Sequence, residues 1–175
     1  HALWMQLWNK PLPMLFNGDF EQPFLSGGFD WETPGGNDHR AGAQVSLSGR
    51  KERGQVMRVE FRGKALSTPI VRQILMLPPG RYRFTGEYQS TELRSEQGLA
   101  WVFSCAGSRG EIARAPSLRT TGRDWNRMEV ALQVPPECGF GVSLGLQPQA
   151  DFEARTGMRG EMLFDNFQLS MEAQP

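Results

Sequence analysis

Gly160-Glu161-Met162-Leu163-Phe164-Asp165-Asn166-Phe167-Gln168-Leu169, near the end of a 175-residue chain, is the stretch on which the fold turns. It alternates like a strand, and an unbroken period of two places Leu163, Asp165, Phe167 and Leu169 on one face. A carboxylate among core residues has to be ion-paired, hydrogen-bonded or metal-bound, because a lone charge does not leave water. None of the four residues after Asp165 is Lys or Arg, so its partner comes from elsewhere in the chain. A second acidic cluster, Asn17-Gly18-Asp19-Phe20-Glu21, lies near the other end. The two clusters predict termini that meet. Calcium takes hard oxygen ligands and would fit between Glu21 and Asp165. The alternatives are hydrogen bonds to backbone amides or a salt bridge to a distant Arg.

Outward from that stretch the chain reads as strands separated by turns. Gln55 to Arg62 alternates cleanly, with Met57, Val59 and Phe61 to one side and Arg58, Glu60 and Arg62 to the other. Ile70 to Leu77 is almost continuously apolar and stops at Pro78-Pro79-Gly80, a turn signal. Alternation resumes at Arg81, with Tyr82, Phe84 and Tyr88 inward and Arg81, Arg83 and Glu87 toward water or a partner. Leu99 to Cys105 is the most apolar run and is expected to be a central strand. From Trp125 to Val134 the inward residues are Met128, Val130, Leu132 and Val134. Val142, Leu144 and Leu146 form the next core face, and their small neighbours Gly141, Ser143 and Gly145 would leave room for a groove floor. Val45-Ser46-Leu47 is a shorter candidate strand, and Asn17 to Glu21 reads as a turn followed by a strand. About ten half-apolar strands with Gly/Pro turns predict an all-β chain folded as an antiparallel β-sandwich.

Composition narrows the function classes. Nineteen basic and nineteen acidic residues leave no net charge, which argues against nucleic acid or an anionic membrane as the main partner. No apolar run approaches the roughly 20 residues that span a bilayer. Arg50-Lys51-Glu52-Arg53 is mixed in sign and reads as a solvated turn. The first residue is His1 rather than Met, and Trp4 and Trp8, with Leu3 and Leu7, fit one face of a short helix that Pro11 and Pro13 would end. Residues 1–14 are therefore expected to be a linker or the end of an upstream helical domain, and 15–175 the sandwich. The two cysteines, Cys105 and Cys138, either pair or stay as buried thiols. The disulfide is the expectation, and with it an extracytoplasmic location, periplasmic, envelope or secreted.

Catalytic constellations are scarce. His39 is the only histidine away from the terminus and lies in a loop with Asp38, and no Gly-x-Ser-x-Gly elbow accompanies it. Neither zinc-ligand spacing nor a phosphate-binding glycine loop occurs. A sandwich hydrolase or lyase would have to use Glu161 with Asp165 as its carboxylate pair. The chain is expected not to be an enzyme.

The motifs Asn17-Gly18-Asp19-Phe20-Glu21, Gly28-Phe29-Asp30-Trp31, Leu77-Pro78-Pro79-Gly80-Arg81-Tyr82 and Phe164-Asp165-Asn166-Phe167-Gln168-Leu169, in this order, resemble carbohydrate-binding modules of families four, nine and twenty-two. The resemblance covers about residues 15–171 and implies a galactose-binding-like jelly roll with a structural calcium near the joined ends. By position Glu21 matches the family's first glutamate and Asp165 the first acid of its closing motif. Asn166 stands where the family usually has a second Asp, one charge fewer for calcium. The chain is also similar to domains appended to bacterial tetratricopeptide-repeat proteins.

Sugar recognition of this kind stacks aromatic rings on pyranose faces and adds polar contacts. The candidates are Trp31, Trp101 and Trp125 for stacking, and Arg94, Glu96 and Gln147 for hydrogen bonds. Each tryptophan has a competing core role, strongest for Trp101, which shares a face with Leu99, Phe103 and Cys105. The expected function is a non-catalytic module of a larger bacterial protein that binds a polysaccharide or glycan. The alternative is a structural or protein-interaction sandwich that binds no sugar.

Overall fold

The structure is a computed structural model, and it describes residues 13–33, 41–108, 110–139 and 141–173. The expected opening helix and the loop holding Asp38 and His39 lie outside the described residues. In chain order the elements are β1 (Ala43–Arg50), β2 (Gly54–Arg62), β3 (Val71–Leu75), β4 (Gly80–Arg94), β5 (Leu99–Cys105), β6 (Glu111–Arg114), β7 (Asn126–Val134), β8 (Val142–Pro148), a short helix α1 (Asp151–Thr156) and β9 (Arg159–Met171).

The strands form two sheets, one ordered β1-β2-β9-β4-β7 and the other β3-β8-β5-β6. Their ladders are antiparallel throughout, as in β2 on β9 and β5 on β8. This is the antiparallel sandwich expected from the alternation, in the jelly-roll form that the resemblance implies. The apolar faces read from sequence meet in one core: Met57, Val59, Tyr82, Phe84 and Phe164 of the first sheet against Leu99, Trp101, Phe103, Val142, Leu144 and Leu146 of the second. β5 lies between β8 and β6, so the most apolar run is a central strand.

The closing strand departs from its expected phase, and the departure organises the molecule. Met162 and Phe164 point into the core, which turns Leu163 and Asp165 to the outer side of the sheet. A β-bulge follows. Glu87 pairs with Asp165 and Thr85 with Gln168, so Gly86 on β4 faces two residues, Asn166 and Phe167. Asn166 takes a left-handed φ of 52°, which asparagine tolerates better than most residues. The extra residue resets the alternation, and Phe167 turns inward. The expectation that Asp165 shares the core face with Phe167 and Leu169 is thus corrected: period two holds on each side of Asn166 but not across it.

Phe167 becomes the hub of an aromatic core. Its ring centroid lies 5.1 Å from those of Phe20, Phe84 and Trp101, 5.8 Å from Phe164 and 5.9 Å from Trp31, all edge-on. Edge-to-face packing places the positive ring edge on a neighbour's negative face. Gly86 makes room for it, since a Cβ there would stand 2.6 Å from the Phe167 ring and 2.7 Å from Met128.

The two end clusters do meet. The Phe167 backbone N–H donates to the Gly18 carbonyl at 2.8 Å. Asn17 holds that turn by bonding both ways with the Gln22 backbone, and its own carbonyl accepts from the Trp31 indole N–H at 3.1 Å. Residues 15–21 form turns rather than the expected strand, fixed by side-chain bonds: the buried Gln73 amide bonds both backbone groups of Phe16.

Two further features brace the sandwich. Glu153 on α1 is buried, and its carboxylate accepts from the Ser95 hydroxyl and the Glu96 and Gln97 backbone N–H groups. Cys105 and Cys138 form a disulfide across 33 positions of sequence. The groove expected over Gly141, Ser143 and Gly145 is covered at Gly145, where a Cβ would stand 2.8 Å from the Pro69 side chain.

Candidate functional site

The outer face of the five-stranded sheet carries the polar residues that alternation turns away from the core. Opposite Leu163 lie Arg58 on β2 and Gln89 on β4, and opposite Glu161 lie Glu60 and Thr91. Arg58 pairs with Glu161 at 2.8 Å and with Glu60 at 2.7 Å. At the far side Arg83 pairs with Glu129 and Glu172, and Arg127 stands 3.5 Å from Glu129. Arginine on a sheet face offers a planar fork of donors, well suited to carboxylates or to ligand hydroxyls.

Arg53 is the centre of the face. It ends the 51–53 turn between β1 and β2, and its side chain crosses β9 to reach β4. One guanidinium nitrogen lies 2.8 Å from Glu87 and 3.0 Å from Asp165, and the other 3.4 Å from Glu87. The Asn166 amide also donates to Glu87, and the Asn166 backbone N–H donates to Asp165 at 2.8 Å. Beyond the two carboxylates the guanidinium lies 3.9 Å from the centroid of the Trp125 ring, a cation–π contact. Val56 and Leu163 are buried yet stand apart from the core, which places apolar floor beneath this layer. Next to it Thr85, Gly86, Glu87, Arg127, Asn166 and Gln168 line a polar hollow of about 350 Å³.

The carboxylates titrate in opposite directions. Hydrogen bonds from Arg53 and Asn166 hold Glu87 below the usual glutamate value. Burial pushes Asp165 above the usual aspartate value, against the pull of Arg53 and of the Asn166 N–H. The same contacts, led by the Glu87 bond, raise Arg53.

The six residues expected to bind ligand are not brought together. Trp31 and Trp101 are fully buried, their ring centroids 5.7 Å apart, so neither offers a ring face to a ligand. Both belong to the core. Trp125 is half-buried on the outer face, immediately before β7. Arg94 lies seven residues beyond Glu87 along β4, roughly 23 Å away at the rise of an extended strand. Glu96 is exposed in the turn that Glu153 holds through backbone N–H groups. Gln147 faces out from the other sheet, opposite Ala100, on the far side of the sandwich from Trp125.

The calcium expectation meets a donor set that does not fit. Asp165 has one oxygen on the Arg53 guanidinium and the other on a backbone N–H, so both oxygens are engaged within the protein. Glu21 accepts instead from the Gln55 backbone N–H at 2.9 Å. Among the described residues no group of three or more His, Cys, Asp or Glu is arranged to hold a metal. As a hydrolytic pair Glu161 and Asp165 are equally engaged, one with Arg58 and the other with Arg53.

The sequence reading missed Arg53, Glu87 and Asn166 as members of one site. A signal was present for Asn166, since an asparagine inside a strand marks a bulge candidate. Arg53 had none, because a mixed-charge hairpin tip looks the same whether or not it folds over the sheet.

The fold is shared with carbohydrate-binding modules. No family model matches the chain, and no curated protein matches it. Among solved structures it is similar to a CBM4 module at TM-score 0.66 and 14% identity, over 90% of this chain and 99% of that one. The CBM22-1 xylan-binding domain of Xyn10C from Paenibacillus barcinonensis follows at TM-score 0.60 and 12% identity, covering 90% and 94%. TmCBM61, solved with β-1,4-galactotriose, superposes at TM-score 0.54 with 19% identity, covering 91% and 99%.

Proposed function

We propose that this chain is a non-catalytic carbohydrate-binding module, with its glycan site on the outer face of the five-stranded sheet. The observation that carries the reading is Trp125, a half-buried indole standing beside a field of arginines, carboxylates and amides. Such a face combines an aromatic ring with hydrogen-bond donors and acceptors, the two kinds of group that bind sugars. The hollow beside it, with Thr85, Arg127, Asn166 and Gln168, extends the polar track along the sheet. The likeness to xylan-binding and galactotriose-bound modules supports a polysaccharide as the ligand class. The disulfide supports an extracytoplasmic setting, since such bonds persist in oxidising compartments.

Affinity electrophoresis in gels cast with xylan, mixed-linkage β-glucan or β-1,4-galactan tests the reading. Retardation is expected on at least one polymer and is lost in Trp125→Ala. Free migration on every polymer, or retardation that Trp125→Ala leaves intact, overturns the site.

A further inference from the structure

The Trp125 ring is already stacked. At 3.9 Å from the ring centroid, the Arg53 guanidinium lies where a sugar ring would lie against the indole. We propose that Arg53 is a strap that closes the Trp125 platform in the ligand-free protein, so that a glycan stacks there only by exchanging places with the guanidinium. The proposal rests on the glycan-binding reading and adds a self-occupied state to it.

Three features make Arg53 a strap rather than a passing surface contact. It starts from a tight turn at the edge of the face and spans two strands, so its reach fixes its direction. It is anchored on two carboxylates by charge-assisted bonds of 2.8 and 3.0 Å, with a third of 3.4 Å. Its Glu87 anchor is itself held by Asn166, the residue that makes the bulge in β9. The strap therefore closes on the bulged part of β9.

The anchors also say what must replace it. Asp165 is only 3% exposed, so removing the guanidinium leaves a buried carboxylate in need of donors. A ligand that opens the site has to supply hydroxyl donors to Asp165 and Glu87 while its ring covers Trp125. A neutral saccharide with adjacent hydroxyls does this, and a flat apolar molecule does not.

The test uses two readouts on the same variants, Arg53→Ala and the double variant Arg53→Ala/Asp165→Asn, which leaves no buried carboxylate without its cation if the single change fails to fold, Glu87 being partly exposed. The first readout needs no ligand: acrylamide quenching of Trp125 fluorescence, isolated by difference with Trp125→Phe. Removal of the strap is expected to raise the quenching constant of that component. The second is affinity for xylan, β-glucan and galactan, read on the polymer that retards the wild type. Arg53→Ala is expected to bind about tenfold more tightly than the wild type, a change of about 1.4 kcal/mol, and Arg53→Ala/Asp165→Asn more tightly than Asp165→Asn alone. Added salt should tighten binding by the wild type, because screening loosens the strap, and leave the double variant unchanged.

Unchanged quenching overturns the strap. Raised quenching with weaker binding overturns it too, since Arg53 would then be a group that holds the ligand. Raised quenching with no binding to any polymer by any variant instead overturns the glycan reading, and gating falls with it.

Discussion

Asp165 and Phe167, two positions apart on β9, point to opposite faces of the same sheet. In a regular strand they would share one. Asp165 meets Arg53 on the outer face, while Phe167 packs against five aromatic rings in the core. The single residue between them, Asn166 at φ 52°, lets one strand serve both the core and the candidate site.

Asn166 is therefore expected to respond to backbone shape more than to side-chain loss. Asn166→Val forces a β-branched residue into a left-handed conformation, at a cost of about 1–2 kcal/mol. Asn166→Gly removes only the bond to Glu87 and should cost less. Urea denaturation of the two variants checks this. Equal losses would show that the side-chain bond, not the bulge, matters.

The same residue marks where the sequence was legible and where it was not. Alternation located β2, β5, β7 and β8 and their inward faces, because burial on one side imposes period two on any strand. It failed across Asn166, because a bulge is one residue long and leaves the hydrophobic pattern looking intact: Leu163, Phe167 and Leu169 are apolar on either reading. Trp31 and Trp101 illustrate a second limit. An aromatic residue among apolar neighbours serves a core or a ligand equally well, and only the packing around it decides. Arg53 shows a third, since its partners Glu87 and Asp165 are 34 and 112 residues away in sequence.

The aromatic hub gives the largest expected effect on stability. Phe167→Ala removes a buried ring and should cost about 3–5 kcal/mol. Gly86→Ala approaches from the other side, driving a methyl into the Phe167 ring, and should cost about 1–3 kcal/mol. Because both act on one contact, the double variant should lose less than the sum of the two. Strict additivity in equilibrium unfolding would contradict the close approach.

The disulfide joins the end of β5 to the segment between β7 and β8. Restricting a loop of this length in the unfolded chain is worth about 3–4 kcal/mol on the chain-entropy estimate. Cys105→Ala/Cys138→Ala should lower the unfolding free energy by that amount. Because the bond lies away from Trp125, polysaccharide affinity of the folded variant should not change. A loss of affinity would place that end of the sandwich in the site.

Acid titration should separate the two carboxylates that hold Arg53. Glu87 is depressed below its ordinary value of 4.5, so its stabilisation is full above that pH and fades as pH falls through the lower, folded value. Asp165 is raised above 3.8, so between the two values the folded chain binds the proton more readily. Its contribution to stability therefore grows as pH falls and shrinks as pH rises through the folded value. Relative to Glu87→Gln, the wild type should lose stability on acidification. Relative to Asp165→Asn, it should gain. Unfolding free energies measured by denaturant between neutral and strongly acidic pH check both slopes. If both differences move in the same direction, burial does not dominate at Asp165, and its contact with Arg53 governs both acids alike.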